Sequence, residues 1–197
     1  MTLPPRESRA TVDHGVVDCE VIVRRATEAD IRAVVGLAEA SANAARWSST
    51  MAMSYFAAEE PGNATQARVI FVACVSESAV LRVGVSDFSG RAAEVVGFVA
   101  LSTVTAAGRG ECSIENMAVA DRWRKQGIGA RLLASGLLWC RAQFGAGVWL
   151  EVRASNRDAV ALYERAGFVV VGRRPGYYTR PEEDALEMRK VLDEDAC

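Results

Sequence analysis

Apolar and polar positions follow two rhythms along this chain, and each change of rhythm marks the edge of an element. Residues 19–24 alternate at the two-residue period of a strand. Thr27-Glu28-Ala29-Asp30 then has the form of a capping box, which predicts a helix running to about Ala44. A second helix is predicted from Ser48-Ser49-Thr50. It carries Met51, Met53, Tyr55 and Phe56, and stops at Glu60-Pro61-Gly62, since proline and glycine end helices. Extended runs follow at 69–75, 95–104 and 112–119. The stretch 76–94 is long for a hairpin connection and holds apolar pieces of its own, so it reads as an extra strand or a mobile loop. Residues 130–144 return to helical spacing with Leu132, Leu133, Leu137, Leu138 and Cys140. The last third predicts a strand at 148–152, a helix at 156–165 closed by Gly167, and strands at 168–171 and 185–191. This order predicts an α/β fold, a mixed central sheet with helices on both faces.

The most informative stretch lies between the 112–119 strand and the 130–144 helix. Arg124-Lys125-Gln126-Gly127-Ile128-Gly129-Ala130 delivers a helix N-terminus through two glycines that allow a tight turn and close approach of a ligand. Unpaired N–H groups and the positive end of the helix dipole then point outward, and a pyrophosphate fits such a place. An ordinary turn with basic residues for solubility is the plainer alternative. A P-loop and a dinucleotide fingerprint both fail on spacing, because no third glycine falls at the required offset and Gly136 lies inside the helix.

Length and composition narrow the field. A chain of 197 residues, 50% hydrophobic, can bury one full core without staples or metals and has no room for a second catalytic domain. Residues 1–18, with Pro4 and Pro5, read as a flexible tail, leaving 19–197 as a single domain. With 23 basic and 25 acidic side chains the net charge of −2 disfavours a nucleic-acid binder. Cys19, Cys74, Cys112, Cys140 and Cys197 are scattered without a C-x-x-C pair and read as reduced and structural, which suits the cytoplasm. The single histidine, His14, leaves no parts for a histidine triad or a conventional metal site. No apolar run is long enough to span a membrane and no signal-peptide core is present.

Four blocks carry a resemblance: Glu115-Asn116-Met117-Ala118-Val119, Arg124 to Gly129, Leu150-Glu151-Val152-Arg153-Ala154-Ser155-Asn156, and Ala161-Leu162-Tyr163-Glu164-Arg165-Ala166-Gly167-Phe168. Together they strongly resemble the GCN5-related N-acetyltransferases. With Gly172-Arg173-Arg174, Tyr177-Tyr178 and Glu183-Asp184-Ala185 they look closest to the ribosomal-protein-alanine N-acetyltransferases. Agreement covers about 110–191, with a weaker echo at 42–56 around Trp47-Ser48.

The resemblance implies acetyl-CoA as co-substrate. Backbone N–H groups of Lys125, Gln126, Gly127, Ile128, Gly129 and Ala130 would hold its pyrophosphate, with Arg124 opening the motif. The pantetheine arm would pair along Met117, Ala118 and Val119, on a strand that in this family splays from its neighbour. Asn156 matches a pantetheine contact, and its position equally suits a helix N-cap. Tyr163 matches the family tyrosine that protonates the departing sulfur, against a core aromatic with a bonded hydroxyl. Glu151 matches the general base, against a strand carboxylate paired to an arginine such as Arg153. Tyr177 and Tyr178 would flank the acceptor, and Glu115 is a second acidic candidate.

The implied acceptor is an N-terminal α-amine, alanine or another small residue, of a ribosomal or other protein. Such an amine, with a reference pKa near 8, loses its proton at pH 7 for about 1.4 kcal/mol, against about 4.6 kcal/mol for lysine. Acetylation of a small-molecule amine or a lysine stays open as an alternative, as does a silent acyl-CoA-binding sensor. The stretch 76–110 and the tail depart from the compact family pattern, which bears on the acceptor. Nothing in the chain specifies an oligomeric state.

Overall fold

The computed structural model describes residues 19–56, 66–77, 93–106, 109–143 and 145–192. The predicted tail at 1–18, His14, the end of the second predicted helix and most of the 76–94 connection lie outside the described residues.

Among the described residues one seven-stranded sheet forms from β1 (Cys19–Arg25), β2 (Gln66–Glu77), β3 (Glu94–Ala106), β4 (Arg109–Val119), β5 (Gly145–Arg153), β6 (Val169–Thr179) and β7 (Glu182–Val191). Their order is β1-β2-β3-β4-β5-β7-β6. β4 and β5 pair in parallel, and the other neighbours are antiparallel. The mixed sheet is the α/β arrangement expected, with helices α1 (Ile31–Ala40), α2 (Ser49–Met53), α3 (Ile128–Ala142) and α4 (Arg157–Arg165) on its faces.

Two apolar layers result from the period-2 alternation of the central strands. On β2, Val69, Ala73 and Val75 face α3 and α4, while Ile70, Val72 and Cys74 face α1 and α2. On β3, Val99 and Leu101 join the first layer and Phe98 and Ala100 the second. Strands buried on both faces read as continuous apolar runs, which is why β2 and β3 stand out in the sequence. β5 differs. Val148, Leu150 and Val152 are buried under α3 and α4, whereas Trp149 and Glu151 are exposed on the other face. Among the described residues, the half of the sheet holding β5, β7 and β6 is therefore helix-covered on one side only.

The predicted helix at 27–44 is a 3-10 turn, Glu28–Asp30, followed by α1, which ends at Ala40. Thr27 N and Oγ1 both donate to Asp30 Oδ2, at 2.8 and 3.0 Å, and Arg24 clamps both Asp30 oxygens at 2.7 and 2.9 Å. The helix stops early because Ser41 turns extended (ψ 122°) and its Oγ accepts from Ala44 N at 3.3 Å. Buried Asn116 on β4 then donates to Ala45 O at 2.9 Å, fixing the connection between α1 and α2. α2 starts as predicted, with Ser48 Oγ accepting from Met51 N, but is one and a half turns long. Tyr55 and Phe56 pack against the α1/α2 layer just after it. β6 runs eight residues past its predicted end at 171. It is an exposed edge strand whose alternation is weak, so its pairing with β7 rather than its pattern defines it.

One irregularity positions everything that follows. Leu101 pairs with Ile114 but Ala100 pairs with Asn116, so Glu115 is the extra residue of a β-bulge. The bulge shifts the phase of β4. Before it Cys112 and Ile114 face α3, and after it Met117 and Val119 do so while Ala118 faces the α1/α2 layer. Parallel pairing of β4 with β5 ends at the next rung, Ile114 with Leu150, and beyond it the two strands separate.

Cys74, Cys112 and Cys140 are buried free thiols, and among the described residues no helix is long and apolar enough to cross a membrane.

Candidate active site

The gap between β4 and β5 opens beside the N-terminus of α3. Lys125 (φ 63°) and Gly127 (φ 78°) both take left-handed backbone conformations, which reverse the chain so that the first turn of the 15-residue α3 presents its free N–H groups outward. Arg124 ties this loop to the end of β4, with Nε donating to Val119 O at 3.1 Å and a guanidinium nitrogen 2.9 Å from Asp121. Gln126 donates to Arg122 O at 3.1 Å and Ile128 is sunk in the core, and of the expected loop residues these two do not line the cleft. Gly129 has a steric reason. A Cβ there would sit 3.3 Å from Leu162 Cδ2 and 3.4 Å from Met117 Cε.

A cleft of about 1020 Å³ runs from this loop between β4 and α4. Met117, Ala118 and Val119 form one wall, and the turn into α4 with Asn156 and Tyr163 forms the other. Ser41 and Asn43, from the α1–α2 connection, close its far end. Residues from both sheet faces thus line one cleft, which the separation of β4 and β5 makes possible. Its size is at the upper end for ligand sites. The glycine cradle, the open strand edge and the helix N-terminus fit a long ligand that carries a pyrophosphate at one end.

Asn156 caps α4, its Oδ1 accepting from Ala159 N at 3.3 Å. The turn before it is held by Glu183 of β7, which accepts from Ser155 N at 2.6 Å and pairs with Arg153 at 3.2 Å. Those hydrogen bonds from Ser155, with Arg153 adding, hold the Glu183 carboxyl below its usual range. Tyr163 is buried at the cleft wall, edge-on to Phe168 with 5.6 Å between ring centroids. Among the described residues its hydroxyl reaches Met117 Sδ, at 3.8 Å, and a thioether is a weak acceptor. Burial, with a smaller contribution from Tyr178, pushes the Tyr163 phenol well above its ordinary range, so it keeps its proton at neutral pH.

Two carboxylates flank the gap on the opposite face. Glu115 and Glu151 are each the first residue past the last paired rung. Glu115 accepts from Ser102 Oγ at 2.6 Å and lies close enough to Tyr55 to add to the burial that raises that phenol. Glu151 pairs with Arg174 at 2.9 Å, not with Arg153, because Arg153 is committed to Glu183. Tyr178 Oη donates to Glu151 O at 3.5 Å. Arg153 lies over the Tyr178 ring at 4.0 Å and Arg174 over the Tyr177 ring at 4.3 Å, and the two rings meet edge to face. Burial also raises the Tyr178 phenol. The structure therefore sorts the sequence candidates into two groups. Met117 to Val119, Arg124, Lys125, Gly127, Gly129, Ala130, Asn156 and Tyr163 gather on the cleft, Gln126 and Ile128 do not, and Glu115, Glu151, Tyr177 and Tyr178 gather on the open face.

Several residues at the site were not singled out from sequence. Ser41 and Asn43 lie in a connection without periodic signal. Trp123 and Asp158 line the cleft from a short 3-10 turn and from an exposed helix face. Arg174 and Glu183 stood inside quoted motifs but without a role. Among the described residues no group of three or more His, Cys, Asp or Glu side chains is placed to hold a metal ion.

A mixed sheet split at adjacent parallel strands, with a helix N-terminus beside the split, is the arrangement expected from the resemblance in the sequence, and comparison with known proteins bears on it. Residues 51–168 match the model of the Acetyltransferase (GNAT) family, and the chain belongs to that family. It is 41% identical over 80 residues to the [Ribosomal protein bS18]-alanine N-acetyltransferase of Escherichia coli K12, covering 40% of this chain and 54% of that protein. It is 36% identical over 96 residues to the N-alpha-acetyltransferase RimI of Mycobacterium tuberculosis, covering 49% of this chain and 59% of that protein. The matched stretch thus spans little more than half the length of either relative. Among solved structures, Arabidopsis thaliana NAA60 in complex with acetyl-CoA superposes with a TM-score of 0.69 at 18% identity, over 87% of this chain and 98% of that one, a likeness of fold.

Proposed function

We propose that the protein acetylates the α-amine of a protein N-terminus, alanine or another small residue, with acetyl-CoA as co-substrate. The observation that carries this reading is the split between β4 and β5, with a protonated Tyr163 at the cleft wall on one side and Glu151 at the opening on the other. Its two similar relatives named as N-terminal or ribosomal-protein-alanine acetyltransferases support the acceptor class.

The cleft fits the co-substrate. The N–H groups of Lys125 to Ala130 would hold the pyrophosphate, Met117 to Val119 would pair with the pantetheine, and the Asn156 amide would donate to it while its oxygen stays on the cap. Bound acetyl-CoA supplies an activated acyl thioester. The side chains of this protein then manage protons. Glu151 receives the proton of the incoming ammonium, and Tyr163 Oη holds the proton that a leaving thiolate requires. An α-amine asks for about 3 kcal/mol less deprotonation than a lysine at pH 7, which suits one exposed carboxylate.

Incubation with acetyl-CoA and peptides bearing free Ala, Ser, Met or Gly N-termini, beside an N-blocked lysine peptide, tests this by intact mass. Tyr163-dependent acetylation of an α-amine is the expected result. Transfer to the blocked lysine peptide alone, or acetyl-CoA binding without any transfer, overturns it.

A further inference from the structure

The proposed acceptor face carries a charge pair that its general chemistry does not require. Arg174 forms the last rung, with Ala185, before β6 leaves its pairing with β7, which resumes at Tyr178–Glu183. Its guanidinium is stacked on Tyr177 and half-exposed, with one nitrogen 2.9 Å from Glu151 Oε1. Two other arginines are engaged elsewhere, Arg153 with Glu183 and Arg173 with Asp184 at 3.1 Å. Glu151, the carboxylate proposed to receive the acceptor ammonium, therefore already has one oxygen, Oε1, bonded to Arg174.

An ammonium that binds at that oxygen takes the place of the guanidinium, which leaves Arg174 without its anion beside exposed Tyr177 and half-buried Tyr178. An acceptor that brings its own carboxylate resolves both halves at once, by exchanging partners: ammonium on Glu151, carboxylate on Arg174. A stacked guanidinium is well suited to this, because its planar fork is held in place and offers two parallel donors to a carboxylate. Spacing fits a peptide. An extended chain advances about 3.4 Å per residue, so an α-amine at Glu151 brings the second side chain to the neighbouring group.

Resting on the N-terminal reading above, we propose that Arg174 is an acceptor-specificity residue, and that the protein selects N-termini with an acidic residue at the second position. Arg174 acts by exchanging Glu151 for the acceptor carboxylate.

The test uses the full chain with acetyl-CoA and three otherwise identical peptides beginning Ala-Asp, Ala-Gln and Ala-Arg, with KM and kcat read separately. Binding of the same peptides to the CoA-loaded protein is read by calorimetry. The expected result is a KM roughly ten-fold lower for Ala-Asp than for Ala-Gln, and lower again than for Ala-Arg. Arg174→Gln should erase the ranking through KM rather than kcat, and Arg174→Lys should restore part of it, since a lysine keeps the charge but not the fork. Equal KM values for the three peptides, or a preference for Ala-Arg, would overturn the inference while leaving N-terminal acetylation standing. Failure to acetylate any peptide would sink the functional reading instead, and the calorimetric ranking would still decide for or against Arg174. Free aspartate acetylated better than any peptide would replace the peptide by a small zwitterion and overturn the proposal as stated.

Discussion

Lys125 Nζ bonds to Asp158 Oδ1, joining the loop that opens α3 to the first turn of α4 across the mouth of the cleft. Both side chains are largely exposed, and this hydrogen bond holds the Asp158 carboxyl below its usual range. In the proposed complex a phosphate competes with Asp158 for Lys125. Asp158→Asn should therefore lower the KM for acetyl-CoA about two- to three-fold, in the range of an exposed ion pair. Raising the salt concentration should shrink the difference. A higher KM in the variant would show that Asp158 positions Lys125 for its ligand.

Tyr163→Phe removes a hydroxyl whose partner is a thioether. Little stability is at stake, well under about 1 kcal/mol for so weak a bond. The expected loss in kcat is about 100-fold or more, the usual reach of a positioned acid. Parallel thermal melts and steady-state kinetics check both halves of that expectation. A normal kcat would return Tyr163 to the role of a packed aromatic.

Glu115 and Glu151 border the same gap, and their partners differ. Glu151→Gln should cost about 100-fold in kcat. Glu115→Gln, whose carboxylate is held by Ser102, should cost less than ten-fold and act mainly on acceptor KM. The reverse order would move the proton-accepting role to β4.

Gly127 and Gly129 answer to different constraints. Gly127→Val forces a branched side chain into positive φ at a cost of about 1–3 kcal/mol, seen as a lower melting temperature. Gly129→Ala places a methyl group against Leu162 and Met117 in ordinary helical backbone, and should raise the acetyl-CoA KM with less destabilisation than Gly127→Val. Differential scanning together with acetyl-CoA titration separates the two.

Asp30 sets an acid limit to stability. Its pKa is lowered from 3.8 to about 2, first by hydrogen bonds from Arg24 and then by those from Thr27, against the cost of burial. Because the folded value is the lower one, the stabilisation is present above pH 3.8 and is lost as pH falls through about 2. The shift corresponds to about 2 kcal/mol. Asp30→Asn should remove that amount at pH 7 and flatten the dependence of denaturant midpoints between pH 4 and 2.

Legibility in the sequence followed the physics of each element. β2 and β3 are buried on both faces, so their unbroken apolar runs announce them, whereas β6 lies at the edge and its eight extra residues come only from pairing. The 124–130 loop was readable because glycine spacing and the start of an apolar helix are local signals. Positive φ at Lys125 was not, since no residue type there foretells it. Tyr163, Glu151 and Asn156 came from motif resemblance. Their partners required three dimensions. Arg174 meets Glu151 from 23 positions away, Glu183 reaches Ser155 from 28, and Asn116 reaches Ala45 from 71. The bulge at Glu115 leaves no mark on composition at all, because it exists only relative to β3.

That one extra residue on β4 has a consequence for traffic through the protein. It turns Met117 toward α3 and leaves Glu115 on the other side, so that the two sides of the gap present different residues. In the proposed reaction donor and acceptor would arrive from opposite directions, so neither has to leave before the other enters. An inhibitor made by fusing the two would have to pass its peptide half through the gap, and should associate slowly even where its final affinity is high.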